Sequence, residues 1–128
     1  LRTCYDANTQ SITFRVKGLG HSAIFTGDLT VAGEKEILKK DLFLQSDVLK
    51  LGHHGSKTSS SAVFLKAVSP RLAIISSGRR NRFRHPSKKV IQRLDSLSIP
   101  YLNTAGVGTI DIIFKEDSLE VKTMLEPD

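Results

Sequence analysis

The segment Asp47-Val48-Leu49-Lys50-Leu51 runs straight into Gly52-His53-His54-Gly55-Ser56-Lys57-Thr58-Ser59-Ser60-Ser61. An apolar run of this length, bounded by loop residues, predicts a strand rather than a helix. Polar groups massed where a strand ends, with sharp turns at Gly52 and Gly55, are the pattern of a site rather than of a core. Imidazole is the commonest metal ligand, and a lysine beside several hydroxyls suits a phosphate oxyanion. A His-His pair alone is usually no more than exposed loop, so the flanking elements must decide.

Those elements alternate. Ser11 to Lys17 switches between polar and apolar at every residue, the period of a half-buried strand. A turn at Gly18-Leu19-Gly20 leads into a return strand, Ser22 to Thr26, that stops at Gly27-Asp28. Leu29 to Lys40 predicts a helix with Thr30 as cap and Val31, Ile37 and Leu38 on its apolar side. After the histidine loop, Ser59 or Ser60 is the expected cap of a helix through Val68, with Val63, Phe64, Ala67 and Val68 inward and Pro70 as its stop. Leu72 to Ser77 is apolar throughout, as in a strand buried on both faces. Pro86 suits the first turn of a helix to about Leu97, with Val90, Ile91 and Leu94 inward. Three short strands close the chain, at 101–103, 109–114 and 119–123. This order predicts a layered α/β domain with chemistry at strand ends. His21, in the hairpin turn, is expected to be plain surface.

Composition limits the possibilities further. At 128 residues and 39% hydrophobic, one domain or part of one is expected, with residues 1–7 and 125–128 as terminal extensions. The chain begins without Met and enters a strand pattern almost at once, which suggests a piece of a longer protein. No apolar run is long enough to span a bilayer as a helix. Cys4 is the single cysteine, so an internal disulfide is excluded. The net charge is +6, and Arg79, Arg80, Arg82, Arg84, Lys88, Lys89 and Arg93 follow one another without an intervening acid. Cationic charge gathered near a candidate site is the footprint of a phosphate-backbone ligand, although a solvated basic face would look the same. Phe83 is the one aromatic inside that segment, which favours backbone contact over base reading.

Asp28 ends one predicted strand, His53 and His54 the next, and a third leads to Asn81, Arg82 and His85. If the strands are neighbours, a carboxylate, imidazoles and a phosphate-binding loop converge on one edge. A divalent metal held there would lower the pKa of a bound water to about 7 and polarise a phosphoryl oxygen.

Thr26-Gly27-Asp28, then Leu51 to Ser61, then Ser69-Pro70-Arg71 and Gly78…Asn81-Arg82…His85-Pro86 resemble the metallo-β-lactamase fold. More closely, they are similar to the carboxy-terminal domain of the ComEC/Rec2 family of DNA-uptake competence proteins. The likeness runs from about Asn8 to Ile110. It implies the second half of an αββα sandwich that carries one or two divalent metal ions, zinc or manganese, at one edge. By that resemblance Asp28 and His54 bind metal, with His53 as the alternative histidine. Asp28, His54 and Lys57 would be catalytic, and Ser56, Lys57, Asn81, Arg82 and His85 would bind substrate. The family's His-x-His-x-Asp-His motif is absent, and Asp6 and Asn8 stand where many members carry a further histidine. The missing ligands would therefore come from the first half of the fold.

The expected function is hydrolysis of phosphodiesters, DNA above all, by a domain outside the bilayer in a bacterial, membrane-anchored parent protein. Two alternatives stand beside it: a phosphoesterase for small phosphorylated compounds, and a basic DNA-binding domain without catalysis. A half-fold is also expected to associate through its uncovered face.

Overall fold

A two-residue turn lets the opening alternation fold back on itself. In the computed structural model, which describes residues 10–127, strands β1 (Phe14–Gly18) and β2 (His21–Phe25) form an antiparallel hairpin. Its turn residues Leu19 and Gly20 both have positive φ, 50° and 79°, the mirror-image turn whose twist matches the flanking strands. The expectations for Cys4, Asp6 and Asn8 lie outside the described residues.

Strands β3 (Val48–Lys50), β4 (Leu72–Ile75) and β5 (Tyr101–Asn103) then add in parallel, giving the order β1-β2-β3-β4-β5. Parallel neighbours need crossovers, and these carry helices α1 (Val31–Leu38), α2 (Ala62–Val68) and α3 (Lys88–Ser96). Ile24, Leu49, Ala73 and Ile75 face the helices and join Phe64, Leu65, Val68, Val90 and Leu94 in the main core. Ala23, Val48 and Ile74, one step along their strands, form a second core against β6 (Ile110–Phe114) and β7 (Leu119–Thr123). These last two strands pair antiparallel as a separate sheet, preceded by the single helical turn α4 (Thr104–Val107). The molecule is thus mixed α/β, with helices against one face of the main sheet and a hairpin against the other. The hairpin leaves part of its face bare: Phe14, Val16 and Phe25 are 52%, 46% and 37% exposed. Leu125 is tied in, its N–H donating to the Val107 carbonyl.

Several local expectations are corrected. Ser61, not Ser59 or Ser60, caps α2, its hydroxyl accepting from the Phe64 N–H. Ser59 and Ser60 are buried; Ser60 sits at φ 58°, and the Ser59 hydroxyl donates to the Gly52 and Ser56 carbonyls. Val63 points outward and Leu65 takes the core position instead. Pro86 precedes α3 rather than opening it; Ser87 is the cap, accepting from Val90 N–H. His21 is not plain surface, because its Nε2 lies 2.9 Å from the Lys115 carbonyl and its ring packs at a tilt on Phe114.

Candidate functional site

Because β2, β3 and β4 are parallel neighbours, the loops that follow them open on one edge of the sheet. Backbone hydrogen bonds stitch those loops together. The His53 N–H donates to Gly27 O, and the Ser87 N–H donates to Gly55 O, both at 2.9 Å. After β3 the chain makes a tight 3-10 turn, Gly52–Gly55, in which His53 and His54 both adopt left-handed backbone, φ 49° and 56°. Two successive non-glycine residues in that region are strained by about 1–3 kcal/mol each, a pattern that clusters at functional sites.

The turn brings His54 against Asp28. His54 Nδ1 lies 2.8 Å from the Ser76 carbonyl, a bond that requires the proton on Nδ1 and leaves Nε2 facing outward. That Nε2 is 3.8 Å from Asp28 Oδ1, and both side chains are about half exposed. His53 packs edge-on to His54 at 6.2 Å and to His85 at 5.5 Å, and its buried Nδ1 has no hydrogen-bond partner among the described residues. His85 stacks near-parallel to His54, 6.3 Å away. Burial, reinforced by the charge of His53 and then His54, pushes the His85 pKa below the usual imidazole value. Lys50, at the end of β3, is also pushed down by burial, with the Asp28 carboxylate opposing. It lines a largely apolar cavity of about 480 Å³ between the main sheet and the β6–β7 hairpin.

An imidazole oriented by a backbone carbonyl and a facing carboxylate fit one side of a metal site. They do not close it: among the described residues no three or more His, Cys, Asp or Glu side chains form a metal-binding group. Asp28 and His54 are the pair best placed to hold an ion, with His53 and His85 beside them.

The substrate-side residues divide. Lys57 and Arg82 are exposed. Asn81 instead builds its own loop: its amide donates to the Gly78 and His85 carbonyls and accepts from the His85 N–H. Ser56 is buried, its hydroxyl 2.9 Å from that of Thr58. The basic segment divides too. Arg79 donates to the Ala105 carbonyl, and Arg93 turns inward onto the Ser59 and Ser60 carbonyls, leaving Arg80, Arg82, Arg84, Lys88 and Lys89 outside.

The chain is 43% identical over 108 residues to ComE operon protein 3 of Bacillus subtilis, covering 84% of this chain and 14% of that protein. It is 46% identical over 106 residues to Competence protein ComA of Neisseria gonorrhoeae, covering 82% and 15% respectively. It is 39% identical over 115 residues to Recombination protein 2 of Haemophilus influenzae, covering 90% and 14%. The chain is homologous to one stretch of the competence proteins. It spans only about one seventh of the length of those relatives. No family model matches it. No helix among the described residues is long and apolar enough to cross a membrane.

The histidine turn also relies on two residues that the sequence reading passed over. Glu34, on α1, is 1% exposed and accepts from the Ser60 and Ser61 N–H groups, the latter at 2.9 Å. Arg93, reaching across from α3, completes the anchorage of the segment that follows the histidine turn. A signal existed: Glu34 shares the helical stripe of Thr30, Ile37 and Leu38, where a charge is out of place unless it is partnered.

Proposed function

We propose that this chain forms part of a metal-dependent phosphodiester hydrolase that acts on DNA during competence uptake. The observation that carries the reading is the facing of Asp28 and His54 at the ends of adjacent parallel strands, with Lys57 and Arg82 exposed on the loops that follow β3 and β4. Similarity to proteins named for competence and recombination supports DNA as the substrate in this reading, and a bacterial, membrane-anchored parent protein is part of the same proposal. In this reading the helix layer and the main sheet are the second half of a metallo-β-lactamase-type αββα sandwich, and the rest of the fold supplies the remaining ligands.

Asp28 and His54, with His53 as neighbour, would hold the ion; zinc or manganese suits an Asp/His donor set. The chemistry supplied by such an ion is Lewis-acid polarisation of a phosphoryl oxygen and of the attacking water. The chain's own residues do the rest. The Ser76 carbonyl holds the His54 Nδ1 proton, so that Nε2 presents its lone pair beside Asp28. Lys57 and Arg82 compensate charge that develops on the phosphoryl oxygens.

The test is a cleavage assay on the complete polypeptide that carries these residues, with a fluorescent oligonucleotide, after chelation and add-back of manganese or zinc. Metal-restored cleavage should be abolished by Asp28→Ala and by His54→Ala. Binding of DNA with no cleavage in any metal would select the second reading, a basic binding domain, which the outward-facing cations Arg80, Arg82, Arg84, Lys88 and Lys89 favour.

A further inference from the structure

The loop between β4 and α3 carries a ladder of planar groups in which Phe83 and His85 have no role above. The Arg82 guanidinium lies over the Phe83 ring, 5.0 Å from its centroid. Phe83 stacks on His85 at 5.8 Å with 25° between planes, and His85 stacks on His54 at 6.3 Å with 17°. Near-parallel rings therefore lead from the solvent to the imidazole that faces Asp28. At the outer end Phe83 is 67% exposed, in a loop whose backbone Asn81 holds in shape. Exposing a phenyl ring forgoes the burial free energy available to it, and the Arg82 and His85 contacts still leave most of this ring in solvent. Arg80, Arg82 and Arg84 flank it with outward-facing charge.

An exposed aromatic ring set among cations is the arrangement that binds single-stranded nucleic acid, through base stacking beside backbone attraction. A paired duplex offers groove edges and phosphates to a protein surface, not the faces of its bases. We propose that Phe83, with Arg82 and His85, stacks an unpaired nucleobase next to the phosphodiester handled at Asp28 and His54. The site thereby selects single-stranded or frayed DNA over intact duplex. The proposal rests on the nucleic-acid reading above, and Phe83 is its specificity-determining residue.

The experiment measures binding by fluorescence anisotropy at one fixed salt concentration, using the complete polypeptide as wild type, Phe83→Ala and Phe83→Trp. Three labelled probes are compared: a dodecamer of thymidylate, a dodecamer abasic at every position, and a blunt duplex of the same length. Phe83→Ala should weaken binding of the thymidylate dodecamer roughly five- to 150-fold, the loss of one stacked base. The abasic and duplex probes should be unaffected, and Phe83→Trp should retain wild-type affinity. Equal affinity of wild type and Phe83→Ala for the thymidylate dodecamer overturns the proposal, and so does an equal loss on the abasic probe. Metal-dependent cleavage with no Phe83 effect removes this inference and leaves the hydrolase. Base-dependent binding without cleavage does the reverse. If no probe binds, this inference falls, and the hydrolase reading stands or falls on the cleavage assay alone.

Discussion

At the scale of single residues, the least expected group is Glu34. Burial pushes its carboxyl up from 4.5, while the Ser61 and Ser60 N–H groups and then Arg93 pull the other way. Both carboxylate oxygens accept a backbone N–H, and an amide side chain can accept only through its single oxygen. Glu34→Gln should therefore leave one buried donor unsatisfied and destabilise the fold by about 1–3 kcal/mol in urea unfolding. The pH dependence has a definite sign. Because the native carboxyl binds its proton more strongly than the unfolded one, this group's contribution is greatest in acid. It declines as pH rises from about 4.5 through the raised native value. Unfolding curves across that range should show the slope in wild type and its loss in Glu34→Gln; identical slopes would contradict the assignment. His54 teaches a related lesson. Its neighbours in sequence make it a candidate ligand, but its orientation depends on a carbonyl, Ser76 O, which no side-chain pattern announces.

At the scale of elements, the histidine turn is held by its glycines and by the loops it touches. Gly55 has φ 80°, and a Cβ there would stand 2.7 Å from the Pro86 Cβ and 3.1 Å from its Cα. Gly55→Ala should cost about 1–3 kcal/mol of stability and should lower metal-dependent cleavage as well, since His54 and Pro86 are displaced together. Thermal melts beside the cleavage assay would check both; a variant as stable and active as wild type would show that the two loops move freely. Elements of this kind were legible where a period or a run was strong. The continuous apolar segment became β4 because both of its faces are buried, and the alternation after Ser11 became β1. Caps were less legible. Among Ser59, Ser60 and Ser61 the choice is made by Glu34, 26 residues upstream of Ser60, which claims the Ser60 and Ser61 N–H groups and leaves the Ser61 hydroxyl to serve Phe64. His21 was misread for the same reason: its partners, Lys115 and Phe114, are 94 residues away or nearly so. Of the basic run, sequence could not show that Arg93 faces inward, because that depends on α3 packing beside the Ser59–Ser60 backbone.

At the scale of the whole molecule, the chain carries an unfinished surface. Phe14 and Phe25 stack 5.0 Å apart on the hairpin side of the sheet, Val16 beside them is half exposed, and among the described residues β1 is an edge strand. Apolar surface on an open edge is a site of association. The isolated 128-residue chain should self-associate in light scattering, and Phe14→Thr with Val16→Thr should shift it toward monomer. A monodisperse monomer at high concentration for the unmodified chain would sink that expectation. The order of the strands carries a different consequence. Each strand of the main sheet lies beside the one that precedes it in sequence. A polypeptide leaving the ribosome amino end first can therefore lay every new strand on an edge already in place. Asp28 is delivered first, the two histidines next and the stacked loop last, so the order of synthesis is also the order in which this edge of the sheet is assembled.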